Sequence, residues 1–398
     1  MKILYIDETF HPSYGYQANP LAKFQQAQGH EVIIATVEKK WMYPVYRSFG
    51  DDGTGLEEAD ARYERDTGVK IIRVPAKGYV ARRLVYGKEI FQVVDQVKPD
   101  VIFIHCVETL TAIRFLFSRK MRKNYPMMFD SHMLKMASTS KFAKLFEKGF
   151  QLLVTPIIKK NNYEVIRTQD DDYVNSRLAI PMEQTPFISF GTDTKLFYPS
   201  QEVRAEFRKK HEIPEGAFTV VYTGKLTEAK NGKLLAEAFK EKFTKPVSLI
   251  CVGTPPDTEY GRQVKALLDA SQNQVIMFPT QNYMDLGQFY QAADLSVFPK
   301  QCSMSFYDAQ ACGLPVLSEN NNVNVDRCSH GNGRNFKAND VSSFRGEIQK
   351  MIDIPKEEYE QMRQAAIAFI AGDYDYEKIA QQYTECLERA VERFLNKK

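Results

Sequence analysis

The sequence predicts an α/β protein made of two doubly wound, Rossmann-like domains facing across a cleft. Three observations predict it. Strand-like apolar runs alternate with helical patterns through most of the 398 residues, and that alternation builds βαβ units and a parallel sheet. The length exceeds one ordinary core and suits two domains of about 150–200 residues each. A stretch rich in turn formers, Phe187–Pro199, interrupts the alternation near the middle.

The N-terminal half offers strands at Lys2–Ile6, Glu31–Thr36, Val69–Val74, Val101–His105, Met127–Asp130 and Glu164–Thr168. The C-terminal half offers Thr219–Thr223, Val247–Val252, Val275–Phe278, Leu295–Phe298 and Pro315–Ser318. The hinge falls near 196–202, giving domains at 1–198 and 199–373. The last segment, 374–398, reads as one long helix returning to the N-terminal domain, with Ile379, Tyr383, Leu387 and Val391 on one stripe.

A hydrophobic content of 43% and a charged content of 26% describe an ordinary globular protein. The formal charge of +3 is too small to argue for nucleic acid. Cysteines at 106, 251, 302, 312, 328 and 386 show neither a CxxC nor a metal spacing, which suits a reducing compartment. Met1–Asp7 enters a strand without a signal peptide's long apolar core, and no window approaches the roughly 18 apolar residues of a membrane span. The expectation is a cytoplasmic chain.

The most informative stretch is Phe218–Phe239. It runs from a buried strand through Gly224 to Lys225 and Lys230, then into an amphipathic helix. Ligands of α/β sheets bind where strands end and helices begin, because helix N–H groups point into that crevice. Two ammonium groups there make an anion seat suited to a diphosphate. Walker A and GxGxxG fingerprints are absent. A second constellation, Pro299–Val316, places Ser305 and Asp308 at capping-box spacing. Asp308 either caps its own helix or presents a carboxylate to ribose hydroxyls.

Lesser candidates have bland readings. Asp170, Asp171 and Asp172 follow a strand and read as first-turn helix acids favoured by the dipole, not as a metal site. His30 and His105 read as structural, and His11 sits ambiguously beside the glycine loop. The segment Lys141–Lys160, with Arg119, Lys120, Arg122 and Lys123, mixes basic and bulky apolar residues. It reads either as an ordinary packed helix or as a helix lying against an anionic membrane.

Several segments together resemble a GT-B glycosyltransferase of the retaining family-4, glycogen-synthase-like group, over nearly the whole chain. His11-Pro-Ser-Tyr-Gly15 with Gln28-Gly-His-Glu-Val32 resembles the family's glycine loop and "GHEV" strand. Asp130-Ser-His132 resembles its active-site histidine, and Ser189–Pro199 its "NGVDxxxFxP" hinge. Tyr222–Lys230 resembles "GRLxxxKG", with lysine for arginine at 225, and Asp308–Val316 resembles "EAMACGxPV". Tyr16 stands where a second glycine is usual. Lys300 lies eight residues before Asp308, where the family's first carboxylate belongs.

The resemblance implies transfer of a sugar from a nucleotide-diphospho-sugar to a hydroxyl of a glycan or lipid-linked glycan, with retention and without metal or other cofactor. It implies Lys225, Lys230 and His132 at the chemistry, Gly15 and Gly224 beside the donor, and Asp308 on the ribose. Lys300, Gln301 or Ser303 would take the place of the missing carboxylate's contacts, and Ser303, Ser305 and Lys300 count among the donor-binding residues. Bacterial surface polysaccharide synthesis, at the inner face of the membrane, is the expected setting. The absent carboxylate leaves a second reading, a catalytically degenerate protein that binds nucleotide or glycan as a scaffold or regulator.

Overall fold

The computed structural model describes residues 1–46, 53–80, 83–135, 138, 141–300 and 303–397. It divides into two compact units. One takes in Met1–Val45, the chain up to Phe190, and Tyr376 onward; the other runs Gly191–Asp375.

The first unit holds β1 (Lys2–Ile6), β2 (Glu31–Val37), β3 (Lys70–Val74), a hairpin of β4 (Ala76–Val80) and β5 (Arg83–Tyr86), then β6 (Val101–Ile104), β7 (Met127–Ser131) and β8 (Val165–Arg167). Six of these form a parallel sheet in the order β3-β2-β1-β6-β7-β8. β4 and β5 pair antiparallel outside it. All four residues of β6 and all five of β7 are buried, as expected of strands covered on both faces. The helix Tyr376–Leu395 lays Ile379, Ala380, Tyr383, Cys386 and Leu387 into this core beside Ile3, Tyr5 and Phe103. Gln17 Nε2 donates to the Tyr383 hydroxyl at 2.7 Å, tying the last helix to the segment after β1.

The second unit repeats the plan with β9 (Phe218–Thr223), β10 (Val247–Val252), β11 (Gln274–Phe278), β12 (Leu295–Phe298), β13 (Val316–Glu319) and β14 (Gly333–Phe336). Their order is β11-β10-β9-β12-β13-β14, again all parallel. In each sheet the winding reverses beside its first strand, at β1/β6 and at β9/β12. Those switch points are where open α/β sheets leave a crevice beyond the strand carboxyl ends.

The chain passes between units at Phe190–Gly191. Residues 191–198 sit with the second unit because their polar groups are bonded there. Thr192 N–H donates to the Tyr374 carbonyl at 2.9 Å, and Thr194 Oγ1 donates to Asp375 at 2.7 Å. The Phe197 ring meets Tyr283 at 5.1 Å.

Three elements were not in the sequence reading: the β4–β5 hairpin, the edge strand β14, and a 3₁₀ turn at Glu228–Lys230 ahead of a helix only at Gly232–Ala238. β14 carries one glycine, two polar or charged side chains and a single phenylalanine, so periodicity does not reveal it. It exists through pairing with β13. Among the described residues no helix is long and apolar enough to cross a membrane.

Candidate functional site

Each unit carries its candidate side chains near the carboxyl end of its own sheet. In the second unit, β9 ends at Thr223 and the chain turns through Gly224, whose φ is +150°. Gly253 at the end of β10 has φ +146°, and a Cβ there would stand 2.0 Å from the Gly224 carbonyl oxygen. The two glycines let neighbouring strand ends close on one another, which no side chain at 253 would allow. The turn is fixed further by the Tyr222 hydroxyl, which donates to the Lys225 carbonyl at 2.7 Å.

Lys225 follows at once, half-buried, and Lys230 ends the 3₁₀ turn, also half-buried. Burial holds the Lys225 ammonium down to about 8, and the nearby Lys230 charge adds to the lowering. The structure therefore brings the two lysines into one positive patch, and an anion between them would relieve both their desolvation and their repulsion. Lys300 and Ser303 are half-buried in the loop after β12, where Arg327 Nη1 donates to the Ser303 carbonyl at 3.1 Å. Gln301 lies outside the described residues.

Asp308 does not cap its helix. The helix Ser305–Ala311 starts at Ser305 with Met304 at its N-cap and no side-chain capping bond. The Asp308 carboxylate is instead buried and accepts a hydrogen bond from Thr192 Oγ1 at 2.7 Å. The hinge segment supplies that partner, which sequence spacing within the helix had no means to show. Burial pushes the Asp308 carboxyl up to about 7, against its bonds to Thr192 and Tyr283.

In the first unit Gly15 lies half-buried in the loop between β1 and the helix Ala18–Ala27. His132 follows β7. The fully buried Asp130 carboxylate organises this region: its Oδ1 accepts from the Cys106 N–H at 2.7 Å, and its Oδ2 lies 2.9 Å from His132 Nε2. His105 Nδ1 stands 2.9 Å from the same Oδ2, and the two imidazole rings are 4.3 Å apart. His105 stands at the edge of β6, as expected from sequence, and its ring lies beside that of His132. Cys106 adopts φ +62°, a left-handed turn that aims its N–H at the carboxylate.

Carboxylates that sequence reasoning passed over surround the pair. Glu8 Oε1 accepts from Thr111 Oγ1 at 2.6 Å, and Ser131 Oγ donates to Glu108 Oε1. Burial raises both Glu8 and Glu108 to about 7. Glu108 Oε2 and the Tyr86 hydroxyl are buried without a hydrogen-bond partner. The available signal was positional: Asp7, Glu8, Glu108 and Asp130 all sit at or just past the ends of β1, β6 and β7.

His105, Cys106, Asp130 and His132 bring their ligand-type atoms within 4.8 Å of one another. Asp130 is already hydrogen-bonded by the Cys106 N–H and by His132 Nε2, while His105 Nδ1, 2.9 Å from the same carboxylate, is buried without a hydrogen bond. Asp171 and Asp172 serve backbone and charge partners. Asp172 is the N-cap position of Tyr173–Ser176 and pairs with Lys135, while Asp171 Oδ1 accepts from the Tyr173 N–H at 2.7 Å.

Residues 203–369 match the family model of glycosyl transferases group 1. A probable sucrose-phosphate synthase of Thermosipho melanesiensis is 22% identical, the alignment covering 96% of this chain and 92% of that protein. A lipopolysaccharide 1,2-N-acetylglucosaminetransferase of Salmonella typhimurium is 27% identical over 45% of this chain and 50% of its own. Among solved structures, a glycosyltransferase from Rickettsia africae superposes with a TM-score of 0.74 at 14% identity, covering 98% of each chain. Anabaena HepE, solved with UDP and glucose, gives 0.73 at 17% identity, covering 98% of this chain and all of that one.

Proposed function

We propose that this chain transfers a sugar from a nucleotide sugar to a hydroxyl of a glycan or lipid-linked glycan with retention of anomeric configuration, a reading supported by the match of residues 203–369 to glycosyl transferases group 1 and by the GT-B fold. The observation that carries the reading is the half-buried Lys225/Lys230 pair at the β9 carboxyl end, beside the switch point of its sheet. A departing nucleoside diphosphate gains negative charge, and preorganised cations in a poorly hydrated site stabilise that charge more than water does. The lysines supply it from the protein itself. Asp308 would accept the ribose hydroxyls, Gly15 would let the β1 loop approach the sugar, and His132 would hydrogen-bond it.

UDP is the first nucleotide to try, because HepE was solved with UDP and glucose. A thermal-shift screen of UDP, GDP and ADP, followed by turnover of the matching nucleotide sugars, tests the reading. No stabilisation by any nucleoside diphosphate, and no release from any sugar nucleotide, would refute it.

A lipid-linked acceptor and a place at the membrane face are supported by the helix Lys141–Leu153. Phe142, Leu145, Leu152 and Leu153 are 85%, 70%, 75% and 63% exposed, while Phe150 packs inward. Exposed Lys144 and Lys148 flank that stripe, and Lys159 and Lys160 follow on the next helix. An apolar face bordered by cations fits an anionic bilayer surface, where each lysine contributes about 1 kcal/mol. Flotation with phosphatidylglycerol vesicles should recover the protein, and Leu145→Glu/Leu152→Glu should abolish recovery. Equal recovery of the double variant would remove the helix from membrane contact.

A further inference from the structure

We infer that the first unit carries a subsite for a phosphate group, between its last helix and the amino ends of β7 and β8, lined by Arg122, Tyr163, Arg393 and Lys397. It does not depend on the transferase reading. From Met127 at this end of β7 to His132 past the other end is about 16 Å of extended chain. The subsite therefore lies at the opposite end of the sheet from the histidines.

A cavity of about 40 Å³ opens here, where a single water needs roughly 10–15 Å³. It has room for a small group of several atoms. Arg122 reaches it from the helix Arg119–Asn124, and Arg393 and Lys397 from the end of the chain. Among the described residues that line it, Glu164 is the one carboxylate. That carboxylate is buried and already accepts from Arg389 Nε and Nη2, both at 3.3 Å. Arg393 Nη2 lies 2.8 Å from Glu164 Oε1, yet it is buried without a hydrogen bond. Arg122 Nη1 donates to the Leu116 carbonyl and Lys397 Nζ to the Asn161 carbonyl. Each bond uses one donor, out of about five on a guanidinium and about three on an ammonium. Cations outnumber acids around the cavity, and donors remain. In keeping with this, burial and the Arg393 charge lower Lys397.

A phosphate group supplies what the cavity lacks. It brings up to about two negative charges and three acceptor oxygens in one compact tetrahedron, and guanidiniums grip such oxygens in pairs. A carboxylate offers one charge and two oxygens, and Glu164 already fills that part. Two sources present the same group: a phospholipid headgroup and a soluble phosphorylated ligand. The helix Thr155–Asn161 joins the exposed apolar helix Lys141–Leu153 to the cavity rim within about 10 Å, carrying exposed Lys159 and Lys160. A bilayer under the apolar helix would thus bring headgroups close to this rim.

Calorimetric titration of inorganic phosphate into the full chain tests the subsite without nucleotide, sugar or lipid. Lys225→Ala/Lys230→Ala protein is used, so that the proposed donor lysines do not answer in its place. One site with a Kd of about 1 mM or tighter is expected at low ionic strength. Adding Arg393→Gln and Lys397→Gln should weaken it about tenfold or more. Lys397→Gln alone, at an exposed position, keeps the test open should Arg393→Gln not fold. Absence of phosphate binding, or binding undiminished by the glutamine variants, overturns the inference. Flotation with phosphatidylglycerol vesicles then separates the sources. Lower recovery of the glutamine variants assigns the subsite to a lipid headgroup, and equal recovery with lost phosphate binding assigns it to a soluble phosphorylated ligand. A failed nucleotide screen alongside this phosphate site would sink the proposed function and leave the subsite standing.

Discussion

Lysine 225 makes a prediction that an ordinary surface lysine would not. Burial first, and Lys230 second, hold its ammonium down to about 8. If the cation is needed to receive the donor's diphosphate, kcat/KM must fall as pH rises through that value, because kcat/KM reports the free enzyme. A group with that pKa is half charged at pH 8 and about one-tenth charged at pH 9, so the fall is about fivefold across that interval. The alkaline limb of kcat should lie higher, since bound diphosphate holds the proton on. Lys230→Ala should act twice: it removes a preorganised cation, costing about 10²- to 10³-fold in turnover, and it moves the kcat/KM limb upward by deleting the second cause of the depression. Lys225→Arg keeps the charge at every accessible pH, so it should retain activity while losing the limb. Initial rates of nucleoside diphosphate release between pH 6.5 and 10, at fixed ionic strength, measure all three. A limb that survives in Lys225→Arg, or that is absent to pH 10 in the unmutated enzyme, would refute the reasoning.

Four further outcomes are expected. The Asp308 carboxyl sits near 7, so calorimetric affinity for the nucleoside diphosphate should weaken as pH falls from 8 to 6, and Asp308→Asn should flatten that dependence. The same raised value means the folded state holds a proton that the unfolded chain releases near 3.8, so this group's contribution to stability falls as pH rises from about 4 to 7, measured by denaturant titration. Gly253→Ala forces a Cβ 2.0 Å from a carbonyl oxygen at φ +146°, and should lower the thermal midpoint and abolish nucleotide-induced stabilisation together. Leu387→Ala, in the core of the first unit under the last helix, should cost about 2–5 kcal/mol by chemical denaturation.

Much of this was legible in the chain. Eleven expected strands lie on the sheets because covered parallel strands are continuous apolar runs, and a run such as Val101–Ile104 or Val247–Val252 leaves few alternatives. The edge strand Gly333–Phe336 was not legible, because its existence depends on the partner it pairs with. The lysines and Asp308 were singled out from their places at strand-to-helix junctions, and His132 from the family resemblance. Asp130 was quoted only as the residue before Ser131, and His105 was set aside, because nothing local says that the carboxylate bonded to His132 also lies 2.9 Å from a ring on another strand.

The sequence by itself determined the alternation, hence two parallel sheets, and the residue types at their carboxyl ends, because periodicity and turn chemistry are local properties. Only tertiary structure decided the states of those residues. Thr192 reaches Asp308 across 116 positions of sequence, and Asp130 meets Cys106 across 24. Burial and partners brought from other strands set the charge state, which is not written in the identity of the residue they act upon.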